Sequence, residues 1–138
     1  MAAVASTRAS LLAQTTGESR AEVALRRAVR AVGALGYRKG YRFKGVPGLA
    51  RRSADMAWVG RRLAVFYDGC MWHGCPEHCD RRWGGSDPGF WEAKIARTRA
   101  RDAETTEALE AAGWTVVRVW EHEDTGRAVA RVMEALGR

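Results

Sequence analysis

Residues 114–120, Trp-Thr-Val-Val-Arg-Val-Trp, are apolar on both alternating faces apart from Arg118. In a strand, successive side chains point to opposite faces, so such a run belongs where both faces of a sheet are covered. The expectation is a strand buried in the sheet centre of an α/β domain. Immediately before it, Gly113 closes a helix expected from Asp87-Pro88 to about Ala112, with Pro near the first turn and Gly after the last. After it, residues 125–136 read as a closing helix.

Further upstream, residues 54–59 and 63–67 are strand candidates joined by Gly60-Arg61, a plausible hairpin connection. Residues 41–43 form a shorter candidate, followed by the turn signal Val46-Pro47-Gly48. The first helix is expected to begin at Ser19, whose spacing to Glu22 has the form of a capping box, and to end at Gly36. Val23, Leu25, Ala28, Val29, Val32 and Leu35 supply its apolar stripe, with Arg26, Arg27 and Arg30 on the other side. Residues 1–18, rich in Ala, Ser and Thr, read as an amino-terminal arm. The resulting order is helix, three strands, helix, strand, helix, in one domain over residues 19–138.

Composition narrows the function classes. A chain of 138 residues has room for one core, and 46% hydrophobic residues argue against global disorder. No apolar run reaches the roughly 18 residues of a membrane span, and no export signal is evident, so the expected compartment is the cytoplasm. The net charge is +7, carried by 20 Arg against three Lys. Guanidinium groups match phosphate oxygens, which favours a nucleic-acid partner; genomic bias towards Arg codons is the bland alternative.

Five of the six Cys and His residues crowd into Cys70-Met-Trp-His-Gly-Cys-Pro-Glu-His-Cys79, inside a long loop expected over residues 68–86. An odd number of Cys without an export signal points to metal or reactive chemistry rather than a disulfide scaffold. Cys75-x-x-His78 can converge on a tetrahedral zinc. Asp102 falls on the same helix face as Trp91, Ile95, Thr98 and Leu109, where a buried carboxylate needs a cation, and His122 follows the last strand. Cys75, His78, Asp102 and His122 therefore make a candidate zinc quartet, with Cys79 as substitute for His78. The alternative pairs Asp102 with an Arg and leaves His122 on the surface.

His73 has an awkward register for that quartet and is freer to act as a base, oriented by Asp68; a fourth zinc ligand is its alternative role. Asp55 enters apolar surroundings beside Ala54, Met56, Ala57 and Trp58, which demands a partner; Arg51 or Arg52 would be the structural one. Met71 and Trp72 are either core anchors or a wedge that unstacks bases.

These motifs, in order, resemble the very-short-patch-repair (Vsr) mismatch endonucleases. The resemblance rests on DGCMWHGCPEH, FWEAKI, RARD and GWTVVRVWE, with SRAEVALRRAVRA and RRSADMAWVGRRLAVFYDGC similar to the first helix and first strands. It implies a restriction-endonuclease-like α/β core with a structural zinc. The implied activity is a magnesium-dependent cut in one DNA strand near a T:G mismatch. It further implies that Asp55 binds magnesium, joined by the backbone carbonyl of Tyr67, that Glu22 holds metal-bound water, and that His73 is the catalytic His. Cys75, His78, Asp102 and His122 fall on the zinc positions, and Met71 and Trp72 on the intercalating pair. Asp68 stands where the best-known members carry a second catalytic His, so a metal-binding or His-polarising role is expected of it. Thr98 stands where Asn is common. The expected partner is double-stranded DNA, with a functional link to a cytosine methyltransferase and a monomeric enzyme. The alternatives are a related nuclease of other DNA specificity, defence or homing type, and a non-catalytic zinc module that binds DNA.

Overall fold

Helix α1, Arg20–Ala31, buries one stripe of side chains, Glu22, Leu25, Arg26 and Val29. It is shorter than expected: Gly33, at φ +83°, leads the chain away, and Val32 and Leu35 are 51% and 60% exposed instead of continuing the stripe. Arg26 also departs from the expected polar face, because its guanidinium bonds Glu22 Oε1 at 2.9 Å one turn back and goes inward with it. The computed structural model describes residues 20–70, 73, 75 and 88–137. The amino-terminal arm and Ser19, together with Met71, Trp72, His78 and Cys79, lie outside the described residues.

The chain then forms β1 (Arg38–Arg42), β2 (Ser53–Trp58), β3 (Leu63–Asp68), α2 (Pro88–Ala111), β4 (Thr115–Trp120) and α3 (Thr125–Ala135). The hairpin between β2 and β3 turns through a 3-10 segment, Val59–Arg61, with Arg62 left-handed at φ 50°. The four strands lie in the order β1-β2-β3-β4, antiparallel between the first three and parallel between β3 and β4. Strand β4, expected at the centre, is therefore an edge strand among the described residues. Its two-faced apolar character has another cause: helices cover both of its faces.

On one face, Leu25 and Val29 of α1 and Ala128, Val129 and Val132 of α3 pack on Met56, Trp58, Leu63, Val65, Val117 and Val119. On the other, Leu109 of α2 packs with Phe43, Leu49, Ala57, Ala64 and Phe66, against half-buried Trp114 and Val116. Burying side chains of this size stabilises each layer by roughly 1.5–3 kcal/mol per residue, before the entropy of ordering is counted. The product is an α/β layered domain with a small mixed sheet. Among the described residues, no helix is long and apolar enough to cross a membrane.

The layering decides where polar side chains converge. Alternation puts Asp68 on the α2 face after Ala64 and Phe66, and Arg118 on that same face after Val116. The face of α2 expected to point inward, Trp91, Ile95, Thr98, Asp102 and Leu109, is the less exposed one, with Thr105 and Leu109 buried.

Candidate active site and metal centre

At the end of the β2–β3 pairing the backbone ladder gives way to a side chain. The register runs from Trp58↔Leu63 to Met56↔Val65, and one residue further on Asp55 Oδ2 accepts the Tyr67 N–H at 2.6 Å. Burial raises the Asp55 carboxyl above its ordinary value of 3.8, although the Tyr67 N–H, a hydrogen bond with Glu22 and the charges of Arg26 and His73 all favour ionisation. Arg26 is thus the guanidinium acting on Asp55 from α1. Of the two arginines expected as structural partners, Arg52 instead donates to Thr105 Oγ1 at 2.6 Å and to the Arg101 carbonyl at 3.3 Å.

His73 and Asp102 come together across 29 residues of sequence: the imidazole Nδ1 lies 2.6 Å from Asp102 Oδ2. With the Nδ1–H donated there, the other ring nitrogen carries the lone pair. Asp68 Oδ1 is 3.7 Å from the same Nδ1, beyond hydrogen-bond range. Both Asp68 oxygens instead accept from Arg118 Nη1 at 3.1 Å. Burial raises the Asp68 carboxyl, and the Arg118 and His73 charges work against that rise. Burial also pulls the His73 imidazole down, but the Asp102 hydrogen bond and the charges of Asp68 and Asp102 outweigh it. Its pKa ends above the usual 6.5.

A cleft of about 340 Å³ joins these groups: Asp55, Tyr67, Asp68, His73, Asp102 and Arg118 line it together with Arg51, Arg52 and Arg101. Acidic oxygens and an imidazole are thereby set within a rim of arginines, the charge arrangement that suits a phosphodiester approaching a hydrolytic centre.

Soft donors gather elsewhere. Sγ of Cys70 and Sγ of Cys75 lie 3.3 and 3.5 Å from Nδ1 of His122, and the three ligand atoms are all within 4.8 Å of one another. The loop makes this possible locally: the Cys75 N–H donates to the Cys70 carbonyl at 2.9 Å, which turns the two thiols to one side. Burial pushes the Cys70 thiol up to about 11, and the neighbouring Cys75 and Glu121 add to the rise.

The expected quartet is accordingly divided. Cys75 and His122 meet each other, but Asp102 leaves them for His73, because its place on α2 faces the imidazole rather than the thiols. Cys70 occupies the cluster instead, a residue the spacing argument passed over in favour of Cys75-x-x-His78. Arg118, the lone charge in residues 114–120, is the partner of Asp68, a pairing that strand periodicity alone does not indicate.

No family model matches the chain. The chain is 39% identical to the type II nicking enzyme V.NaeI of Lentzea aerocolonigenes over 115 residues, 83% of this chain and 67% of that protein. It is 38% identical to the type II nicking enzyme V.XorIIP of Xanthomonas oryzae pv. oryzae over 115 residues, 78% of this chain and 79% of the relative. Over 89 residues, 58% of this chain and 56% of the relative, it is 34% identical to the DNA mismatch endonuclease Vsr of Escherichia coli K12. The extent of the first two matches shows that the chain belongs to the family of type II nicking enzymes.

Proposed function

We propose that this chain is a Vsr-type DNA mismatch endonuclease, with a restriction-endonuclease-like core, that nicks one strand of double-stranded DNA beside a T:G mismatch. The observation that carries the reading is the meeting of Asp55, His73 and Asp102 in one arginine-rimmed cleft. The named activities of the relatives support it.

The residues fit a hard divalent cation at Asp55. Its carboxyl group is half-buried and shares a hydrogen bond with a second acid, Glu22, and oxygen donors of this kind suit magnesium. Asp55 and the Tyr67 carbonyl would hold the ion, with Glu22 towards its water. Magnesium there supplies charge stabilisation at the scissile phosphate and leaving oxygen. His73 takes a proton from the attacking water on the nitrogen opposite Nδ1, while Asp102 fixes the ring and its tautomer by accepting the Nδ1–H. Arg51 and Arg101, exposed at the rim, bind backbone phosphates and set the strand across the cleft.

Cys70, Cys75 and His122 fit zinc by donor chemistry, two thiolates and an imidazole, and His78 or Cys79 is the fourth ligand. Zinc ties the loop after β3 to the end of β4 and so holds His73, which lies between Cys70 and Cys75. Met71 and Trp72, in the same loop, are the wedge against the mismatched pair. Residues 19–138 form the nuclease domain, working as a monomer, with residues 1–18 as a DNA-clamping arm; the functional partner is a cytosine methyltransferase whose product deaminates to the T:G pair.

The test is a nicking assay on labelled duplexes, T:G and fully matched, with magnesium added and withheld. The reading expects magnesium-dependent nicking confined to the T:G duplex. Equal nicking of both duplexes would give a nuclease of other specificity, and no cleavage in either metal condition would leave a DNA-binding module.

A further inference from the structure

Arg118 is the one charged side chain in β4, and its position is built with unusual completeness. Its register partner on β3 is Phe66, and the guanidinium carbon sits 4.4 Å over the Phe66 ring. Nη1 reaches both oxygens of Asp68 at 3.1 Å, Nη2 donates to the Asp102 carbonyl at 3.0 Å, and Nε donates to Thr106 Oγ1 at 2.8 Å. One side chain on the edge strand therefore touches β3 and two successive turns of α2.

Around His73 there are two carboxylates for one Nδ1–H. Asp102 Oδ2 takes it at 2.6 Å, while Asp68 Oδ1 stands at 3.7 Å. Arg118 Nη1 is closer to Asp68, at 3.1 Å, than to the Asp102 carboxylate, at 3.9 Å. Asp68 is also the more deeply buried of the two, with 5% of its side chain exposed against 23% for Asp102. A carboxylate so enclosed needs a counter-ion, and removing that counter-ion leaves an uncompensated charge that seeks the nearest donor. Among the described residues, His73 is the basic side chain within 4 Å of Asp68 besides Arg118, at 3.7 Å.

We propose that Arg118 is a positioning residue for the nicking reaction: it balances the charge of Asp68 and thereby reserves the His73 Nδ1–H for Asp102. The inference rests on the reading of His73 as the general base. It gives Asp68 the role of an anchored partner of Arg118, both of its oxygens accepting from Nη1.

The experiment is single-turnover nicking of a labelled T:G duplex in magnesium by the wild type, Arg118→Met, Asp68→Asn/Arg118→Met and His73→Ala, with duplex binding and thermal melts on the same samples. Arg118→Met is expected to nick at least about tenfold more slowly, with the apparent Kd for the duplex within about twofold of wild type. The double variant, which removes both charges, is expected to return to within about fivefold of the wild-type rate. A folded Arg118→Met with a smaller loss, or a double variant slower than that limit, overturns the inference. If Arg118→Met does not fold, the double variant decides on the same limit. Failure of the underlying reading is separate: it shows as wild-type nicking by His73→Ala, whatever the Arg118 variants do.

Discussion

His73 Nδ1 lies 2.6 Å from Asp102 Oδ2, so a loop imidazole is oriented by a carboxylate from the middle of the long helix α2. Asp102→Asn keeps the size of that side chain and removes its charge. Nicking is expected to fall about 10²-fold, with DNA binding and zinc content unchanged. Single-turnover rates and metal analysis on one preparation check this; loss of zinc in Asp102→Asn would return the residue to the metal centre.

The same contact sets a pH dependence. Burial lowers the His73 pKa, but the Asp102 hydrogen bond and the two nearby carboxylates raise it further, so the net direction is above 6.5. A general base acts in its neutral form, so nicking should climb as pH rises through that raised value. Removing the anion at Asp102 destabilises the protonated ring, so the rising limb of Asp102→Asn should lie at lower pH. A pH–rate profile identical in the two proteins would contradict this. For stability the sign is opposite: the benefit of the protonated ring is complete below the unfolded value and fades as pH passes the folded one.

Zinc content tests whether Cys70 belongs to the metal centre. The wild type should carry about one zinc per chain and Cys70→Ser clearly less, with a lower Tm. Metal analysis and melts check this. A Cys70→Ser protein with full zinc would return the centre to a set without Cys70.

Asp55 is held at a cost to the fold. Its folded pKa is raised above 3.8, mainly by burial, so the native state binds that proton more tightly than the unfolded chain does. Stability therefore declines as pH rises through this range, and Asp55→Asn removes the decline while still accepting the Tyr67 N–H. In chelator at neutral pH, Asp55→Asn should melt no lower than wild type, yet lose magnesium-dependent nicking. A clear drop in Tm would show that the carboxylate serves the fold.

Much of this architecture is legible in the sequence, for reasons that also explain the misses. Period-two apolar runs and the Asp-Pro and Gly punctuation place β2, β3, α2, β4 and α3 within a few residues. A two-faced apolar strand reports cover on both faces, not rank in the sheet, so its pattern suggests a central β4, whereas among the described residues β4 lies at an edge. The inward face of α2 was legible, and so was the need of Asp102 for a partner. Periodicity cannot name that partner, because whether His73 or the thiols faces the helix depends on how the loop after Asp68 turns. An apolar stripe puts Arg26 on the solvated side, whereas an Arg one turn after a Glu on an inward face can go inward as an ion pair, as Arg26 does with Glu22. The Cys75-x-x-His78 spacing points downstream and carries no signal for Cys70, which joins Cys75 only through the turn of the loop.

The rate at which His73→Ala nicks a T:G duplex in magnesium, with duplex binding measured on the same samples, bears most directly on the proposed centre. A loss of about 10²–10⁴-fold with binding kept within about threefold is the predicted result. Nicking at the wild-type rate by a folded, DNA-bound His73→Ala protein would contradict it.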